Sequence, residues 1–125
     1  MNKILILGAS GLLGGSLVEY FVSNNFKVGA LSRCYGKKKN EFISVHAVDV
    51  LDYKSLESVI AQYDIIINCI GQVTNPIYDC INLNSQGVQN IVDAVKKNDN
   101  YLIHFSTVSV YGASLYATED SPVNP

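Results

Sequence analysis

The sequence predicts a doubly wound α/β domain, a parallel sheet with helices on both faces. Short apolar runs alternate with longer stretches of helical periodicity, the pattern of successive βαβ units. Two of the runs, Ile4-Leu5-Ile6-Leu7 and Ile65-Ile66-Ile67, show no polar alternation, so both faces of those strands must be covered. A glycine-spaced stretch, Gly8-Ala9-Ser10-Gly11-Leu12-Leu13-Gly14, joins the first apolar run to the first helical pattern. With 125 residues the chain fits one domain, 1–125.

The elements follow in order. Strands are expected over 3–7, 27–31, 42–48, 64–70 and 101–106. Leu13, Leu17, Tyr20 and Phe21 recur at three- and four-residue spacing and place a first helix over 12–24. Leu56, Val59 and Ile60 mark a short helix after Asp52, whose carboxylate suits its N-terminus. Val88, Ile91, Val92 and Val95 form the stripe of a longer helix ending near Lys97, a charge suited to the C-terminal dipole. The tract 34–40, with Lys37, Lys38 and Lys39, reads as an exposed loop or a ragged helix. Right-handed crossovers make 3-2-1-4-5 the most economical strand order. A ligand is then expected beyond the carboxyl ends of the first and fourth strands, where the winding reverses.

Bulk properties exclude several function classes. Hydrophobic residues make up 48% and charged residues 16%, a globular composition without a disorder signature. A formal charge of −2 gives no footprint for nucleic acid or an anionic membrane. Cys34, Cys69 and Cys80 are odd in number and widely spaced, which argues for reduced thiols in the cytoplasm and against a disulfide framework or a zinc site. Cys69, inside an apolar run, is most simply a small core residue. The apolar run after Lys3 is too short for a signal peptide or a membrane span. His46 and His104 have no partners at metal or triad spacing, so packing in the core or at a sheet edge is expected for both.

The glycine stretch carries the chemistry. Gly8 permits the tight turn, Gly11 lets a pyrophosphate approach the backbone, and Gly14 lets helix and strand pack closely. Unpaired amides of Ser10, Leu12, Leu13 and their neighbours, with the helix dipole behind them, then hold phosphates. The spacing is GxxGxxG, and it resembles the short-chain dehydrogenase/reductase superfamily, whose Rossmann-type domain binds NAD or NADP. Later stretches resemble its extended branch, the nucleotide-sugar epimerases and dehydratases. Asp49-Val50 matches that branch's adenine-contacting pair. Asn84-Ser85-Gln86-Gly87-Val88-Gln89-Asn90 resembles its NxxGxxN helix, with Asn84 where the family supports the cofactor and Gly71 ahead of it in the loop after the fourth strand. Ser106-Thr107-Val108-Ser109-Val110-Tyr111-Gly112 resembles its S[ST]xxVYG stretch, and 119–125 the segment ahead of its catalytic YxxxK. Taken singly, Asp49 also reads as a strand end, Asn84 as a cap and Thr107 as a strand residue. Their succession favours the cofactor.

The resemblance implies an NAD(P)-dependent oxidoreductase or epimerase acting on a nucleotide-linked sugar, with a homodimer as a further expectation. Thr107 matches the residue that orients the substrate. The family's tyrosine and lysine would follow Pro125, so the expectation is an amino-terminal fragment that binds cofactor without turnover. A non-catalytic NADP-sensing or interaction module on the same fold is the alternative. Tyr35 and Lys39 form the only YxxxK, in the loop after the second strand, and are read as coincidence; Tyr111 matches a structural tyrosine. Val108-Ser109 stands where the dehydratases carry Asp-Glu, which argues against sugar dehydration. At the end of the second strand Ser32 supplies no carboxylate for a ribose 2′-hydroxyl, while Arg33 suits a 2′-phosphate, so NADP is favoured over NAD.

Overall fold

A computed structural model describes residues 2–36, 41–73 and 76–124. The expected lysine loop at Lys37–Lys39, and with it the lysine of the YxxxK coincidence, lies outside the described residues, as does Pro125. Five parallel strands form one sheet: β1 (Ile4–Leu7), β2 (Val28–Leu31), β3 (Ile43–His46), β4 (Ile65–Asn68) and β5 (Tyr101–His104), in the order β3-β2-β1-β4-β5. The expected order is the one found. Leu7 lies level with Leu31 and Asn68, Leu31 with His46, and Asn68 with His104, so the five carboxyl ends form one even edge.

The unbroken apolar runs have a direct reason. Along β1, Ile4 and Ile6 face a core built with Val18 of α1 (Leu12–Ser23), while Leu5 and Leu7 face a second core. The second core contains Leu56 and Ile60 of α2 (Tyr53–Ile60) and Ile91 of α4 (Val88–Asn98). A strand covered on both faces needs apolar residues at every position.

Asp52 caps α2 as expected. Its carboxylate accepts the Ser55 amide at 3.3 Å and the Ser55 hydroxyl at 2.5 Å, and those bonds hold its pKa below the ordinary value. Two features were not expected. The long helix begins before Val88, as α3 (Ile77–Asn82) and a π-helical turn at Leu83–Gly87 that runs straight into α4. α3 has only six residues, too few to show helical periodicity in the sequence, and it buries none of them: Ile77, Tyr78 and Ile81 are exposed. The strands also stop two residues short of the expected ends at β3, β4 and β5. Beyond Asn68 the Ile70 amide turns back to the Asn68 side chain and leaves the ladder.

Candidate functional site

Two adjoining cavities of about 470 and 420 Å³ lie over the carboxyl edge of the sheet and share Cys69, Ile70, Gly71 and Gln72. Together they make one trough from Arg33 and Asp49 beyond β2 and β3 to Thr107 beyond β5. Its centre is the glycine turn between β1 and α1. Gly8 stands at φ +78°, a conformation that costs glycine nothing, and its amide donates to the Leu31 carbonyl at 3.0 Å. The Gly11 amide closes the turn on the Gly8 carbonyl at 3.0 Å.

The three glycines answer to different causes. A Cβ on Gly14 would stand 2.3 Å from the Gly8 carbonyl oxygen, so helix and turn can approach only without it. A Cβ on Gly11 would meet nothing nearer than that oxygen at 3.3 Å, which a shift of a few tenths of an ångström relieves. Gly11 has ordinary extended backbone (φ −75°, ψ 174°) and lines the trough. The fold therefore demands glycine at 8 and 14 far more than at 11. Gly11 is also the N-cap of α1, with no side-chain bond to the first turn and no acidic residue in it. The first-turn amides of Leu12, Leu13 and Gly14 have no intrahelical acceptors, and the positive end of the helix dipole is left for an anion. The Leu12 and Leu13 side chains point to solvent and do not line the trough. Gly14 lies behind the turn, packed on Gly8.

At the β2 end, Arg33 is exposed and Ser32 is buried in the trough lining, its Oγ without a hydrogen-bond partner among the described residues. Asp49 accepts the Leu51 amide at 2.9 Å, which folds the wall so that Val50 sits buried beneath it. Asn90 of α4, itself buried, donates to the Val50 carbonyl at 2.8 Å. Gly87 lets the helix come this close, since a Cβ there would lie 3.0 Å from Val50 Cγ2.

At the β5 end, Asn84 grips the main chain of Gln72 from both sides. Its Oδ1 accepts the Gln72 amide at 3.0 Å and its Nδ2 donates to the Gln72 carbonyl at 2.6 Å. Asn84 thus holds the loop wall, with Gly71 in the lining, where a Cβ would make only ordinary contact with Asn84 Oδ1 at 3.9 Å. Thr107 is exposed in the same cavity, and its Oγ1 accepts the Ser109 amide at 3.2 Å, capping the 3-10 turn Val108–Tyr111. Among the described residues the hydroxyl proton of Thr107 has no acceptor.

Of the expected site residues, Gly8, Ser10, Gly11, Ser32, Arg33, Asp49, Val50, Gly71, Asn84 and Thr107 all line the trough. Cys69 also belongs to it, half-buried instead of fully in the core, and burial raises its thiol pKa. Sequence reading left out Asn90 as a wall anchor and an Asn68–His104 pair at the β5 end. NxxGxxN was the only signal for the first, and nothing local marks the second. Tyr35 packs into the α1-side core, away from the trough lining.

Residues 4–125 match the model of a family described as the NAD dependent epimerase/dehydratase family. The chain belongs to that family. Among relatives, a "putative UDP-glucose 4-epimerase" of Methanocaldococcus jannaschii is 31% identical over 98% of this chain and 44% of its own length. A UDP-N-acetyl-alpha-D-glucosaminuronate decarboxylase of Bacillus cytotoxicus is 26% identical over 89% of this chain and 38% of its own. The enzyme WbmH of Bordetella bronchiseptica, solved in complex with NAD+, superposes on the whole chain with a TM-score of 0.89 at 23% identity, over 47% of its own length. Uronate dehydrogenase from Agrobacterium tumefaciens, whose Y136A mutant was solved with NAD, gives 0.89 at 19% over 49%. At such identities these structures share the fold, and this family member spans less than half the length of each relative named.

Proposed function

We propose that this chain is the dinucleotide-binding domain, 1–125, of an NAD(P)-dependent epimerase or reductase acting on a nucleotide-linked sugar. Gly11 carries the proposal: its missing side chain has little structural reason, and it borders an uncapped helix N-terminus at the centre of the trough. A pyrophosphate at that point uses both features. Gly8, Ser10, Gly11 and the first-turn amides of Leu12, Leu13 and Gly14 hold the phosphates. Asp49 and Val50 wall the adenosine half, and Gly71 with the Asn84-held loop walls the other. Thr107, whose hydroxyl proton is uncommitted, orients a sugar oxygen. Relatives named for UDP-sugars support the substrate class.

The preference is for NADP over NAD. The residues just after β2, Ser32 and Arg33, carry no carboxylate, and both the Ser32 hydroxyl, unpartnered among the described residues, and the exposed Arg33 suit a 2′-phosphate. Three free cysteines fit a reducing cytoplasm, and a homodimer fits the apolar residues exposed on α3, Ile77, Tyr78 and Ile81. The deciding experiment is calorimetric titration with NADP+ and NAD+. Gly11→Val should lose binding of both while keeping the circular dichroism of the parent, because the valine enters the phosphate path without meeting the core. Binding equal to the parent's would overturn the proposal.

A further inference from the structure

The β5 end of the trough also holds a side-chain pair with no part in the roles assigned so far. Asn68, the last residue of β4, is fully buried. Its Oδ1 accepts the Ile70 amide at 2.9 Å, which settles the direction in which the side-chain amide faces. Its Nδ2 therefore donates to Nδ1 of His104, the last residue of β5, at 2.9 Å. A ring nitrogen that accepts a hydrogen bond carries no proton, so the neutral imidazole of His104 bears its hydrogen on Nε2. His104 is exposed and lines the β5-end cavity of about 420 Å³ beside Gly71, Asn84 and Thr107. Among the described residues, Nε2 has no protein partner.

A buried side-chain amide is costly unless its donors and acceptors are matched. The turn at Ile70 uses only Oδ1; the Nδ2 bond does nothing for the turn and orients the imidazole. We propose that His104 Nε2–H, held by Asn68, donates a hydrogen bond to an oxygen of the nicotinamide nucleoside, either a ribose hydroxyl or the carboxamide oxygen. This rests on the dinucleotide reading. With the pyrophosphate on the glycine turn and the adenosine half against Asp49 and Val50, the other nucleoside reaches the wall that His104 and Thr107 share.

The chain has two histidines, His46 and His104, so their imidazole nitrogen-15 and carbon-13 resonances are readily told apart. Without ligand, His104 should show a bare Nδ1 and a protonated Nε2. Addition of NAD+ should move the His104 signals and leave those of His46 in place, and AMP should move neither. If ADP-ribose acts as NAD+ does, the acceptor is the ribose; a response to NAD+ alone identifies the carboxamide. His104→Leu should weaken NAD+ about two- to tenfold, the scale of one neutral hydrogen bond, and His104→Gln, which retains an N–H, should stay within about twofold of the parent. A proton on Nδ1 in the free chain overturns the proposal, as does equal affinity of His104→Leu and parent. If NAD+ moves the Gly11 amide but not His104, only this proposal falls. If nothing moves with any nucleotide, the dinucleotide reading falls with it.

Discussion

On the proposed reading, the exposed Arg33 at the end of β2 pairs with a cofactor 2′-phosphate, beside the buried Ser32 hydroxyl. Arg33→Ala should weaken NADP+ by about 1.5–3 kcal/mol, the range for hydrogen bonds to a charged group, and barely change NAD+. Calorimetry with both cofactors checks this, and equal losses would remove the NADP preference. On the α2–α4 side of the sheet, His46 Nε2 lies 2.7 Å from the Tyr63 hydroxyl, whose ring crosses β2 where Gly29 leaves room. Burial lowers the His46 pKa below 6.5 and raises that of Tyr63. The unfolded chain therefore binds a proton at His46 more readily than the folded one. The contribution of neutral His46 is complete above pH 6.5 and is lost as the pH falls through the lower, folded value. Thermal unfolding followed downward from neutral pH should show Tm falling in that window, and His46→Gln should flatten the slope. Parallel curves for the two proteins would contradict the assignment.

Among the elements, the arm formed by α3, the π turn and α4 does most to shape the trough. From this one arm Asn84 holds the Gln72 loop and Asn90 holds the Val50 wall. π turns recur at functional sites, and the wider turn at Leu83–Gly87 carries Asn84 itself. Asn90→Ala should leave the Val50 carbonyl short of its buried partner and cost about 1–3 kcal/mol in urea unfolding. Dinucleotide affinity should also drop, since the wall is then less well held. An unchanged unfolding midpoint would show that the wall stands without Asn90. The α4 stripe was readable because it runs over three turns with Ile91 and Val95 facing the core, whereas the six residues of α3 are too few to show a period.

Across the whole molecule, β5 ends the sheet among the described residues, paired there with β4 alone. Leu102 packs toward the α4-side core, while Tyr101, Ile103 and Phe105 remain exposed in alternation on the other face. A contiguous apolar face of this kind promotes association. Sedimentation velocity should therefore show reversible self-association that rises with concentration, and Ile103→Lys should reduce it without altering nucleotide binding. A monomer at every concentration would show that the face is tolerated in water.

The sheet, its strand order and the glycine turn were legible in the sequence, because each follows from local pattern. Unbroken apolar runs demand two covered faces, and right-handed crossovers restrict the order. Gly8, Gly11 and Gly14 lie within one turn and one helix start, where spacing alone gives geometry. What each glycine is for was decided only by the tertiary structure: Gly14 by its 2.3 Å approach to the Gly8 carbonyl, Gly11 by the lack of any comparable contact. The same holds for the long-range polar pairs. Asn90 meets Val50 across 40 positions, and Asn68 meets His104 across 36. A hydrogen bond between residues so far apart in sequence depends on strand register and helix docking, and neither leaves a mark in local composition or periodicity.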